Sequence, residues 1–189
     1  MSRLMEIIKA RSSTRKFQKR PVSDEVVARI VEAARHAPSA CHSQPWRFLA
    51  VTDPALLESL TEECLGFPVP NRWAREAPVI LVVCASRKMI PNYLGEPAAG
   101  VSYHQIDLGI AMEHVVLRAQ EIGLGSCYIG WFKSGRVRRL LEIPRSWKIA
   151  CLLALGYPWD DGGTPKERLP LEEILFFNKP GTDREEDES

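Results

Sequence analysis

No two cysteines in this chain are spaced as C-x-x-C, and their number is odd: Cys41, Cys64, Cys84, Cys127 and Cys151. That pattern points to neither a disulfide framework nor a zinc site. Cys84, Cys127 and Cys151 stand among apolar residues, as small core hydrophobes do, and a reducing cytoplasm is the expected setting. Long hydrophobic runs are also missing. The longest, VILVVCA at 79–85, is too short to span a bilayer, and the opening MSRLMEIIKARSS lacks the apolar region of a signal peptide. The formal net charge is only +1, so no whole-molecule field draws the chain to nucleic acid or membrane. No internal repeat or low-complexity linker interrupts the sequence. Residues 1–180 are expected to form one domain, and the acidic tail 181–189, without an apolar anchor, to be disordered.

What charge there is lies unevenly. Residues 1–20 carry seven basic groups (Arg3, Lys9, Arg11, Arg15, Lys16, Lys19, Arg20) against Glu6 alone. Residues 2–10 read as a short helix with Leu4, Ile7 and Ile8 on one side. Ser23 suits an N-cap, and Val27, Ile30, Val31 and Ala34 behind it fit a helical period ending before Pro38. WRFLAVT at 46–52 reads as a strand. Asp53-Pro54 opens a helix through about Cys64, and PVILVVCAS at 78–86 is a buried strand. In the longest helix, 101–122, Leu108, Met112, Val115, Ala119 and Ile122 are spaced 4, 3, 4, 3. Ile106, Ile110 and Leu117 widen its apolar girth, so it should be buried on several sides, one of them by a second copy of the chain, with Val115 in that interface. Gly123 and Gly125 are expected to end it. A basic helix at 133–141, a strand at 148–158 and the exposed-looking RLPLEEILFF at 168–177 follow. Such alternation gives a layered α+β or α/β fold.

Four places have residues suited to chemistry. Arg11-Ser12-Ser13-Thr14-Arg15 offers two guanidinium forks with hydroxyls between them, the donors a phosphate dianion needs. A solvated basic stretch and a nucleic-acid arm are the alternatives. The loop Pro38-Ser39-Ala40-Cys41-His42-Ser43-Gln44-Pro45-Trp46 suits hydrogen bonding to a heteroaromatic edge, or forms a polar turn. Gly123 to Gly130, GLGSCYIG, fails the dinucleotide spacing at Tyr128 but can bring bare backbone N–H groups to a flat ligand. Lys166 and Arg168 form a second candidate phosphate clamp, or plain surface charge.

Taken in order, RSSTRKF, APSACHSQPWRF, GLGSCYIG, LALGYP and a late K-x-R before P-L-E-E resemble the nitroreductase-like flavoproteins. The likeness runs from about residue 4 to 177. It implies an α+β fold with a central, mostly antiparallel sheet flanked by helices, and an intertwined homodimer with two FMN sites at its interface. Arg11, Ser13 and Arg15 would meet the FMN phosphate and ribityl chain with Ser12 alongside, and Lys166 and Arg168 would close on the same phosphate. Pro38, Ser39, Ala40 and His42, with Gln44 beside them, would come from the other protomer. Ile129 and Gly130 would offer backbone N–H groups near the flavin ring. His42 stands where the family often has Asn, and Ile129 where some members have Glu. Segments 62–75 and 87–100 would shape the substrate pocket.

The activity so implied is an NAD(P)H oxidoreductase working by ping-pong. NADH or NADPH gives up a hydride, and a nitroaromatic or quinone acceptor then takes the same site. No protein acid or base is required. His36, His104 and His114 read as ordinary structural histidines. A flavin enzyme with a dedicated tailoring or dehydrogenating substrate, and a non-catalytic flavin sensor, stay open. Turnover of NAD(P)H separates the sensor from both enzymes, whereas a nucleic-acid binder would be colourless and strongly salt-dependent.

Overall fold

The computed structural model describes residues 2–66, 69, 71–86, 100–160 and 166–180. Most of the expected loop 87–100 (including Tyr93) and the acidic tail 181–189 lie outside the described residues.

Five α-helices and four strands are described: α1 Arg3–Ala10, α2 Asp24–Arg35, β1 Trp46–Val51, α3 Pro54–Cys64, β2 Val79–Ser86, α4 Tyr103–Glu121, β3 Gly125–Ile129, α5 Ser134–Leu140 and β4 Trp147–Gly156. The expected caps set the helix starts. The Ser2 and Ser23 hydroxyls accept from the N–H groups of Met5 and Val26, both at 3.4 Å, and the Asp53 carboxylate accepts from Leu56 N–H at 2.9 Å.

The sheet runs β1-β2-β4-β3, with every described pair antiparallel. β1 and β3 are therefore its two edges. Side chains alternate across β2, which explains its unbroken apolar run. Val79, Leu81, Val83 and Ala85 face α2 and α4, joined by Leu153 and Leu155 of β4. Ile80, Val82 and Cys84, with Leu152 and Ala154, face Leu57 and Leu60 of α3 and Val137 of α5. A bulge between Val83 and Cys84 shifts the register against β4.

In α4, Leu108, Met112, Val115 and Ala119 are buried at the expected spacing. They face the chain's own core, however. Val115 is wholly inside it and belongs to no interface between copies. The other side of α4 is covered only in part: Ile106 is exposed, and Ile110 and Leu117 are half-buried. Nor does α1 bury a residue; Leu4 and Ile8 lie open, although an Arg3–Glu121 ion pair (2.8 Å) fastens it to the end of α4. Leu171, Ile174 and Phe177 are likewise exposed.

The glycine-rich stretch after α4 differs from its reading as a turn. Gly123 does end the helix: its φ is +80°, and bonds from Gly123 N–H to Gln120 O (3.1 Å) and Leu124 N–H to Ala119 O (2.8 Å) make a Schellman cap. Gly125 instead opens β3, the strand the sequence does not advertise. Its missing Cβ leaves room for Thr14, whose Cβ would otherwise lie 2.7 Å away.

Candidate functional site

Residues 11–18 form no regular element of their own, yet the sheet fixes them. Thr14 N–H donates to Ser126 O (2.9 Å), Gln18 N–H to Tyr157 O (2.9 Å), and Trp159 N–H to Lys16 O (3.1 Å). Ser13 bridges Ser126 in parallel sense, and Phe17 bridges Pro158 antiparallel. The segment thus lies along the free edge of β3. At that edge Thr14 N–H satisfies Ser126 O, which sets the basic segment beside the strand.

The charges converge on β3. Burial pushes the Cys127 thiol up, against the opposing pull of Arg15, of a hydrogen bond with Ser13 and of Lys166. Burial raises Tyr128 too, with Glu113 and Cys151 adding to the rise and Arg11 opposing it. Lys166, far away in sequence, therefore acts on the same thiol as Ser13 and Arg15, whereas Arg11 acts on Tyr128, the next residue of β3, whose side chain leaves the opposite face of the sheet. Ser12 belongs to the same stretch and lines a cavity with Thr14, Gly125 and Tyr157. Arg168 is exposed and makes no hydrogen bond or ion pair among the described residues. Two guanidinium groups, an ammonium and serine hydroxyls on one strand edge suit a phosphate dianion. Gly130, just past β3, has open space where a Cβ would stand. Ile129 beside it is buried.

The loop 38–44 is built differently. A short 3₁₀ turn, Ala40–His42, is held from both sides: Ser39 Oγ accepts from Gln44 N–H (3.0 Å), and Ala40 N–H donates to the buried Asp107 carboxylate on α4 (3.1 Å). Cys41, His42 and Gln44 all have positive φ (51°, 53° and 45°), the left-handed region that residues with a Cβ enter at a cost. The Gln44 side-chain amide lies within hydrogen-bond distance of His42 Nε2 (2.9 Å). Pro38 and His42 are exposed.

The loop leads into β1 and the clamp lies on β3, so they sit at opposite edges of the sheet. Three strand spacings, about 14 Å, separate those edges.

Three further residues sit at the site without a motif to mark them. Asp107 holds the loop. Asn71 Nδ2 donates to Trp131 O (3.2 Å), next to Gly130, and the Trp73 ring lies under Arg15, 5.8 Å from the guanidinium carbon. Asn71 and Trp73 fall in the segment 62–75 already expected at the pocket. Of the histidines, His114 contacts Ala33 O (3.1 Å) and His36 contacts Glu32 (3.2 Å), both structural. Among the described residues no His/Cys/Asp/Glu group could hold a metal, and no helix is long and apolar enough to cross a membrane.

An antiparallel α+β sheet protein with a basic segment set against one edge strand is the class these observations define. The Nitroreductase family model matches residues 8–72 and 67–157, and the chain belongs to that family. A Thermus thermophilus protein named NADH dehydrogenase is 33% identical, over 88% of this chain and 92% of its own length. A Staphylococcus saprophyticus NADPH-dependent oxidoreductase is 30% identical, over 95% and 74%. A structure from Exiguobacterium sibiricum, solved in complex with FMN, superimposes with a TM-score of 0.78 over 94% of this chain and 98% of its own, at 23% identity.

Proposed function

We propose that this chain is an FMN-dependent NAD(P)H oxidoreductase that works as a homodimer and passes electrons to nitroaromatic, quinone or related acceptors. The observation that best supports this reading is the bridge between Ser13 and Ser126, which sets the basic segment 11–15 beside β3, with Lys166 acting on the same Cys127 thiol as Ser13 and Arg15. Membership of a family whose relatives bear NADH and NADPH oxidoreductase names supports it.

The residues divide the work. Arg11, Arg15, Lys166 and Arg168 neutralise the phosphate, and Ser12 and Ser13 fill oxygen positions between them. Ile129 and Gly130 present backbone N–H groups to the ring, where Gly130's lack of a side chain permits close approach. Pro38, Ser39, Ala40, His42 and Gln44 complete the site from the second protomer. Their place at the far edge of their own chain's sheet supports that arrangement. When bound, FMN supplies the hydride chemistry; the protein holds, orients and shields. No side chain is assigned as acid or base.

The uncovered apolar residues of α1, α4 and 169–177 favour association of two copies. The test is an absorbance spectrum of the purified protein, followed by anaerobic addition of NADPH and then NADH. Flavin bands that bleach support the reading and name the donor. Bands that persist with both point to a sensor, and a colourless protein that takes up no FMN sinks the proposal.

A further inference from the structure

We infer that Trp73 is a positioning residue that aims Arg15 at the phosphate, and so sets the preference for a phosphorylated flavin over its dephosphorylated form. The inference rests on the FMN reading above.

Arg15 is exposed, although its segment is anchored by backbone bonds, by the buried Phe17 and by Gln18 Nε2, which donates to Pro158 O at 2.8 Å. It makes no ion pair or hydrogen bond through its side chain among the described residues. A guanidinium on a free arm samples many rotamers, and freezing it on a ligand weakens binding. Its one described side-chain partner is the Trp73 ring, at 5.8 Å, inside the range where an aromatic face attracts a cation.

The ring is itself fixed. Trp73 packs half-buried against the core layer of α3 and α5. Its 3₁₀ turn, Arg72–Glu76, is pinned at both ends: Asn71 N–H donates to Leu65 O (3.1 Å), and Ala77 N–H to Ala74 O (3.1 Å). Asn71 Nδ2 ties the same turn to Trp131 O. The turn therefore braces the clamp to the strand end at Gly130, and Trp73 supplies the face on which Arg15 rests. Arg11 and Lys166 have no such aromatic platform among the described residues. Because Trp73 acts through a cation, its effect should follow the phosphate and leave the flavin ring untouched.

The test is a titration of the full-length apoprotein with FMN and with riboflavin, read by quenching of flavin fluorescence. Trp73→Leu should raise the Kd for FMN by about 3- to 10-fold and leave that for riboflavin unchanged. Trp73→Phe, which keeps an aromatic face and the packing, should recover most of the loss. Trp73→Leu combined with Arg15→Ala should bind FMN no more weakly than Arg15→Ala alone. Equal loss for both flavins, no loss for either, or additive losses in the double variant would overturn the inference. Wild-type protein that binds neither flavin would overturn the FMN reading itself, and is seen before any variant is made.

Discussion

Gly125 and Gly156 face each other across the β3–β4 pair; Thr14 fills the room that the first leaves, and Phe17 and Pro78 fill the room at the second. A Cβ on Gly125 would meet the Cβ and Cγ2 of Thr14 at 2.7 Å, and one on Gly156 would meet Phe17 Cδ1 at 2.8 Å. This pair of bare positions is what allows the cationic row to lie against the sheet.

Gly125→Ala should therefore lower stability by about 1–3 kcal/mol, through overpacking. The same Gly125→Ala change should cost less in a Thr14→Gly background, which removes the Cβ together with Oγ1 and Cγ2. Thermal unfolding of the two single variants and the double one measures this. Strict additivity would mean that the contact is not the cause.

Arg11→Ala with Arg15→Ala should purify largely without flavin. The dianion would lose two charge-assisted partners, each on the order of 1.5–3 kcal/mol. The ratio of flavin to protein absorbance decides, and full occupancy would remove the clamp.

Ile106→Asp is the informative change for association. Ile106 is exposed in the single chain, so the charge leaves the fold intact, whereas in an interface it would be buried and unpaired. Light scattering should find a smaller particle with unaltered circular dichroism. Val115→Asp would instead break the chain's own core.

Asp107→Ala should leave the Ala40 N–H without its acceptor and release a loop that holds three left-handed residues. Affinity for FMN and riboflavin should fall together, by roughly tenfold, because the proposed site gives the loop to the ring and not to the phosphate. Loss for FMN alone would place the loop elsewhere.

Burial pushes the Cys84 and Cys151 thiols up to about 11. Both stay protonated in the folded state while the unfolded chain ionises from about pH 8.5. Their contribution to stability is complete below that pH and is lost as pH rises toward 11. The melting temperature should drop less steeply over this window in a Cys84→Ala/Cys151→Ala variant than in wild type.

Local signals carried most of the fold. Ser23, Asp53 and the run at 79–85 announce their elements because caps and burial patterns act over a few residues. β3 was hidden, since GSCYI begins with residues of low strand propensity and becomes a strand by pairing with β4 and accepting residues 13–14 at its edge. The clamp and the loop were readable as motifs. Trp73, Asn71 and Asp107 were not, because each acts through a contact that only tertiary structure creates. Val115 was misassigned for a related reason: periodicity names an apolar face but not what covers it.

The separation of loop and clamp to opposite edges has a consequence for mixed assemblies. Join one chain lacking the cationic row to one with a ruined loop. In the homodimer proposed above, one composite pocket would then inherit both faults, and the other would draw an intact half from each parent. Two chains that are inert alone would together carry one working centre per pair, the complementation expected of a shared site.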